Sequence, residues 1–204
     1  MTKTSRAIGG SAVLALVLTA LAGLTWAGEA GSSPSPEAVL KALEEAGKPA
    51  PEHRKLEPLV GEWTYTGKFW MDPSQPPTEA AGTIERRWIL GNRFLEERVV
   101  GKGPDGKSDF EGRGVIGYDK AQKKYTTGWI CTMGTGIATS RGTCDASGKH
   151  FTFESESFCP VRGRMVRGRD ELRIESADKH VLEVYQFDDG KKVKVMELTA
   201  VRKR

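Results

Sequence analysis

The sequence is poor in the residues that most often announce chemistry. It holds three cysteines and three histidines in 204 residues, widely scattered, so zinc-type spacing is absent and no metal centre is expected. No G-x-S-x-G, H-E-x-x-H or phosphate-binding glycine loop occurs, and three scattered histidines define no catalytic triad. No cofactor is expected. Net charge is also scarce: 31 basic and 27 acidic residues give +4. Lys3 and Arg6, in a leading segment without acids, supply half of that excess. The remaining near-neutral surface gives no electrostatic case for nucleic acid or an anionic membrane.

Only one long apolar run exists. It extends from Ala7 to Leu24, behind Lys3 and Arg6 and ahead of Thr25-Trp26-Ala27. A basic start, an apolar centre and small residues at −3 and −1 predict a secretory signal over 1–27, cut after Ala27, with Ala30 as a second site. At about 18 residues the run could also serve as an uncleaved anchor. The mature chain, about 177 residues, is then periplasmic or secreted, with no membrane segment left after cleavage. Residues 28–35 are small and polar and read as a linker. Short helices are expected over 36–60. Ser35 suits the N-cap, Pro36 the first turn and Gly47 the stop, with Val39, Leu40 and Leu43 as an apolar stripe. A second turn is expected from Glu52 to Leu56, ending before Pro58.

From Gly61 to the end of the chain, alternating runs recur at roughly ten-residue spacing between turn signals. They predict ten strands: 61–70, 80–90, 93–101, 109–118, 124–132, 136–144, 150–158, 163–174, 180–187 and 192–202. Gly91-Asn92 and Asp189-Gly190 are two-residue hairpin loops of the positive-φ kind. An all-β, antiparallel up-and-down meander of this length is expected to close into a barrel over 61–204, because closure removes both exposed edges.

The register can be tested on charge. With Gly91-Asn92 as the loop, Glu85 faces Arg98, Arg87 faces Glu96 and Arg86 faces Glu97, three complementary pairs that a one-residue slip would destroy. The face with Trp88, Ile84, Leu95, Val99 and the single pair Arg86–Glu97 is the inward candidate. Hairpin pairing carries that face to Tyr125, Trp129 and Cys131, then Ser140, Phe151, Phe153 and Ser155. It continues to Arg164, Val166 and Asp170, then Glu183, Tyr185 and Phe187, and finally Lys194, Met196, Leu198, Ala200 and Arg202. An apolar plug would need no such serines and charges, so a cavity is expected. No histidine points inward from mid-strand in this register, as a haem ligand would. His53, His150 and His180 read as exposed or capping residues.

Gly61-Glu62-Trp63 opening the first strand, with Arg202 closing the last, resembles the lipocalin or calycin superfamily. The resemblance implies that Arg202 packs over Trp63 as a structural cation–π plug at the barrel floor. Three further stretches resemble the bacterial domain-of-unknown-function 1579 family. They are His53 to Trp63 (H-R-K-L-E-P-L-V-G-E-W), Trp88 to Leu95 (W-I-L-G-N-R-F-L) and Gly112 to Asp119 (G-R-G-V-I-G-Y-D), with Trp129 ten residues beyond. The likeness covers roughly residues 50–202 and implies a calycin-like barrel without an established activity.

The remaining residues leave alternatives open. Cys131 and Cys159 share a face two strands apart, so they either bridge by loop movement or stay free thiols. Arg162, Arg164, Arg167, Arg169 and Arg173 form the densest basic run. It reads as a solvated strand face, with Glu154 opposite Arg167, or as an anion site through Arg164. The expected function is binding of a small apolar or amphipathic ligand in the interior, without catalysis. The candidate lining residues are Trp88, Trp129, Arg86, Glu97, Arg164, Asp170, Tyr185, Phe151 and Phe153. The alternatives are an enzyme using paired interior groups (Arg86, Glu97, Asp170, Tyr185) and a cavity-less barrel acting through surface contacts. Oligomeric state is not readable.

Overall fold

The computed structural model describes residues 34–160 and 162–204. The expected leader over 1–27 and all but the last two residues of the expected linker lie outside the described residues. Helix α1 spans Pro36–Gly47, and the Ala38 N–H donates to Ser35 Oγ (3.2 Å), the expected N-cap. Its apolar stripe is unburied, with Leu40 and Leu43 both more than half exposed. Gly47 is the last helical residue rather than the stop beyond it. Among the described residues no helix is long and apolar enough to cross a membrane.

The second expected turn is longer than its sequence signals suggest. Pro51–Leu59 forms a nine-residue 3-10 helix that runs through Pro58. Three residues per turn eclipse every third side chain, and His53, Leu56 and Leu59 are all buried. Seating Leu59 outweighs the one donor that Pro58 lacks. His53 Nδ1 accepts the Ala50 N–H (2.9 Å), so this histidine does cap.

Ten antiparallel strands follow: β1 Gly61–Phe69, β2 Thr78–Ile89, β3 Phe94–Lys102, β4 Asp109–Asp119, β5 Lys124–Cys131, β6 Ala138–Cys144, β7 His150–Cys159, β8 Arg164–Ser176, β9 Lys179–Asp188 and β10 Lys191–Arg202. Each pairs with its sequence neighbours and β1 closes on β10, giving an up-and-down closed barrel with no free edge. The β2–β3 register is the one charge complementarity selects: Glu85↔Arg98, Arg86↔Glu97, Arg87↔Glu96. Its loop has four residues outside the ladder, 90–93, with Leu90, Gly91 and Asn92 all left-handed, rather than two. Asp189 and Gly190, both left-handed, form the two-residue β9–β10 loop as expected.

Two β-bulges overturn part of the inferred interior. The ladder shifts by one residue between Ile174 and Ser176 on β8, and again between Lys194 and Met196 on β10. Asp170 therefore lies opposite Val184, not beside Tyr185. His180, Leu182, Val184 and Gln186 face inward, whereas Glu183, Tyr185 and Phe187 face out, and so does Lys194. The second bulge restores the phase, so Met196, Leu198, Ala200 and Arg202 point in as expected. On β7–β8 the partner of Glu154 is Arg169 rather than Arg167, a two-residue slide that preserves faces.

The core fills the end capped by the 3-10 helix. Leu56 and Leu59 pack with Leu95, Tyr125, Phe151, Phe153, Leu172 and Ile174. A second cluster, Trp63, Tyr65, Ile84, Val99, Leu198 and Ala200, lines the wall built by β10 and β1–β3. Burial of side chains this large supplies about 1.5–3 kcal/mol each before conformational entropy is counted.

Candidate functional site

At the floor, Trp63 is 1% exposed and donates its indole N–H to the Leu59 carbonyl (3.0 Å). The Arg202 guanidinium lies over its ring, Cζ 4.1 Å from the centroid. Arg202 also donates to the carbonyls of Val60 (2.8 Å), Pro58 (3.0 Å) and Ala177 (2.9 and 3.0 Å). This explains the glycine two residues before Trp63. Gly61 has φ +119°, and a Cβ there would sit 2.6 Å from Arg202 Nη1. A side chain is thus excluded twice, by backbone conformation and by the guanidinium.

Above the floor is a group that sequence reasoning missed. His180 is 1% exposed, edge-on to Trp63 at 4.4 Å between ring centres. Its Nε2 accepts from Arg86 Nη1 (2.9 Å), and Arg86 Nε is ion-paired to Glu97. With Nε2 accepting, the ring proton sits on Nδ1, which has no hydrogen-bond partner. Burial first, then the Arg86 and Arg202 charges, push the imidazole down to about 3, so it is neutral at pH 7. Its apparent place at a hairpin end concealed it; the β8 bulge turns it inward, and only that bulge would have revealed it.

In the opposite half of the barrel the inward side chains are less completely covered. Inward residues of mid-strand position, among them Thr127, Trp129, Ser155, Asp170, Val184 and Met196, are part-exposed, so water reaches them from the mouth. The wall is lowest at β6, the shortest strand, which pairs with β7 over five residues only. Trp129 lies flat across two glycines of β4: a Cβ on Gly112 would meet its ring at 2.2 Å and one on Gly114 at 2.9 Å. Phe110 stacks beside it at 6.5 Å. On the β5–β9 side, Thr127 and Ser140 share a hydroxyl hydrogen bond (2.6 Å), and Ser140, Ser155 and Gln186 occupy one level. Asp170 sits one inward position away, between Phe153 and Val184.

The expected lining residues divide accordingly. Trp129, Asp170, Phe153 and Glu97 lie on the inward face, as does Arg86, though its guanidinium is already engaged. Phe151 belongs to the closed floor, and Trp88 packs at its edge with Nε1 donating to Glu57 (2.7 Å). Arg164 is a correction: on an inward position at the rim, its side chain is 52% exposed and it pairs with Asp188 (3.1 Å). Tyr185 is the other: it lies outside, beneath the Lys192 ammonium, 3.7 Å from its ring centre. The four groups required by the paired-residue enzyme are therefore not assembled. The basic run is mostly neutralised outside, as in Arg169–Glu154 (2.9 Å). Among the described residues no cluster could hold a metal ion, and Cys131, Cys144 and Cys159 are part-buried free thiols. A groove of 570 Å³ runs over the outer face past Thr66, Lys68, Glu79, Ala81 and Thr199, but it contains none of the inward aromatics.

Comparison with known proteins agrees with this architecture. The family described as "protein of unknown function (DUF1579)" matches residues 48–202. No curated protein matches the sequence. Among solved structures, Rv2717c from M. tuberculosis is similar at 17% identity and TM-score 0.58, over 77% of this chain and 100% of that one. The S-type phycobiliprotein lyase CPES from Guillardia theta is similar at 14% identity and TM-score 0.52, over 84% and 99%. Identities this low speak to the fold.

Proposed function

We propose that this chain, which belongs to the DUF1579 family, is an exported barrel protein that holds a small apolar or amphipathic molecule in its interior and does no chemistry on it. The observation that carries the reading is the contrast along the barrel axis. One end is packed to near-zero exposure by Leu56, Leu59, Trp63 and Phe151, while inward aromatic and hydroxyl side chains at the other end meet water. A site of this kind, mostly apolar with a few convergent polar groups, suits a small ligand. Catalysis by the interior pair finds little support, since Arg86 is spent on Glu97 and His180.

Export through the 1–27 leader belongs to the same proposal and predicts a mature N-terminus at Gly28 or Gly31. Native mass spectrometry of protein purified from its own host tests the binding. A non-covalent adduct lost on denaturation is expected. A bare polypeptide mass, together with no saturable uptake of apolar probes, would favour action through surface contacts instead.

A further inference from the structure

We propose that the cup takes an apolar molecule bearing a protonated amine or a comparable organic cation, and that Asp170 is its counter-ion. The inference rests on the interior-binding reading above and specifies the ligand class. Three observations carry it. First, Asp170 points into the barrel from the middle of β8, flanked by Phe153, Val184, Ser155 and Gln186, with Met196 beyond Val184 on β10. Second, it has no hydrogen bond or ion pair among the described residues, although inward cations exist. Arg86 is held by Glu97 and His180, Arg164 at the rim by Asp188, and Arg202 by backbone carbonyls under Trp63. Of the other inward carboxylates, Glu97 is held by Arg86, and Asp188 at the rim by Arg162 and Arg164. Third, the interior has two unlike walls. The β10–β1–β3 wall offers Tyr65, Ile84, Val99 and Leu198, whereas the β5–β9 wall sets Thr127, Ser140, Ser155, Gln186 and Asp170 among Trp129, Phe153 and Val184.

A half-buried carboxylate that no protein cation neutralises is held at some cost, and a cation delivered beside it recovers that cost. Burial accordingly pushes the Asp170 carboxyl up to about 6, still largely ionised above neutrality. An amphipathic cation laid with its body on the apolar wall would place its charge on the hydroxyl-rich one, where Ser155 and Gln186 complete its hydrogen bonds.

The test compares matched probes at pH 7.5: decylamine, decanol and decanoate, and naphthylethylamine, naphthylethanol and naphthylacetate. Binding is read by tryptophan fluorescence and by calorimetry. Wild type is expected to prefer each amine over its alcohol and acid by at least about tenfold, and Asp170→Asn to abolish the amine's advantage over the alcohol. Asp170→Ser serves as a second variant, with circular dichroism to verify the fold of both. Equal affinity for amine and alcohol, or a preference that survives in both variants, overturns the counter-ion while leaving the interior site intact. Tighter binding of the acids overturns it in favour of a protonated Asp170 donating to a carboxylate. Failure of all six probes to bind overturns the interior-binding reading, and this inference with it.

Discussion

Replacing Gly61 with alanine touches one methyl group, yet it should be among the more damaging single changes in the barrel. At φ +119° an alanine sits outside every region an L-residue favours, at about 1–3 kcal/mol. Its Cβ would also lie 2.6 Å from Arg202 Nη1, driving the guanidinium off the Val60 carbonyl and away from Trp63. One charge-assisted hydrogen bond is worth about 1.5–3 kcal/mol, and a desolvated cation–π contact about 2. Allowing for partial relaxation, the total is about 4 kcal/mol, a large part of the 5–15 kcal/mol typical of a domain.

The two components separate in a double-mutant cycle. In an Arg202→Ala background the guanidinium is gone, so Gly61→Ala should cost only its backbone share, about 2 kcal/mol. The coupling is then about 2 kcal/mol, with the double variant better than the sum. Urea unfolding followed by far-ultraviolet circular dichroism measures all four corners. Additivity within about 0.5 kcal/mol, or a wild-type midpoint for Gly61→Ala, would refute the claim that the glycine exists to admit Arg202.

Arg86→Leu should destabilise by about 3–5 kcal/mol, because it strands Glu97 in the interior. Adding Glu97→Leu should recover most of the loss in the same urea assay. Gly112→Val should lift the Trp129 ring, shifting emission to the red and weakening decanol binding about tenfold or more; unchanged emission would show that the ring does not depend on its glycine seat. The pH dependence joins two opposed groups. His180 is depressed to about 3 against 6.5 unfolded, so its contribution is present above 6.5 and is lost as pH falls. Asp170 is raised to about 6 against 3.8 unfolded, so its penalty is present above 6 and relieved as pH falls towards 4. Between pH 6 and 4.5 these nearly cancel. Asp170→Asn should therefore expose a loss of about 1 kcal/mol per pH unit in that window, measured by urea midpoints, and an unchanged slope would contradict the assignment.

Strand alternation, turn residues and cross-strand charge carried most of the architecture. Centring the loop on Gly91-Asn92 places every β2–β3 pair, because three ion pairs and an apolar face all demand one register. What stayed hidden has a common cause. Glu175 and Val195 are ordinary strand residues, and nothing in their chemistry marks a bulge; the β9 interior, Tyr185 and His180 were misplaced together for that reason. Arg164 was misread differently, since alternation tells which face a residue takes but not how near the mouth it lies. The 3-10 helix was legible in principle: His53, Leu56 and Leu59 recur every three residues, a period shorter than that of an α-helix.

The paired bulges have a consequence best put as parity. Inward or outward is a two-valued label that strand pairing hands from neighbour to neighbour around the ring. A closed ring is consistent only if the label returns unchanged to its starting strand. Each bulge inverts it once. One bulge alone would bring β10 back with Glu197, Thr199 and Val201 facing the interior and Arg202 facing solvent, so Trp63 would meet no guanidinium. Two restore the label, and the inversion is confined to β9 and the first residues of β10, up to Lys194. The distortions on β8 and β10, strands that do not pair with each other, are thus bound as a pair by the closure of the sheet. Removing either bulge, with the hairpin loops unchanged, would leave the ring out of phase.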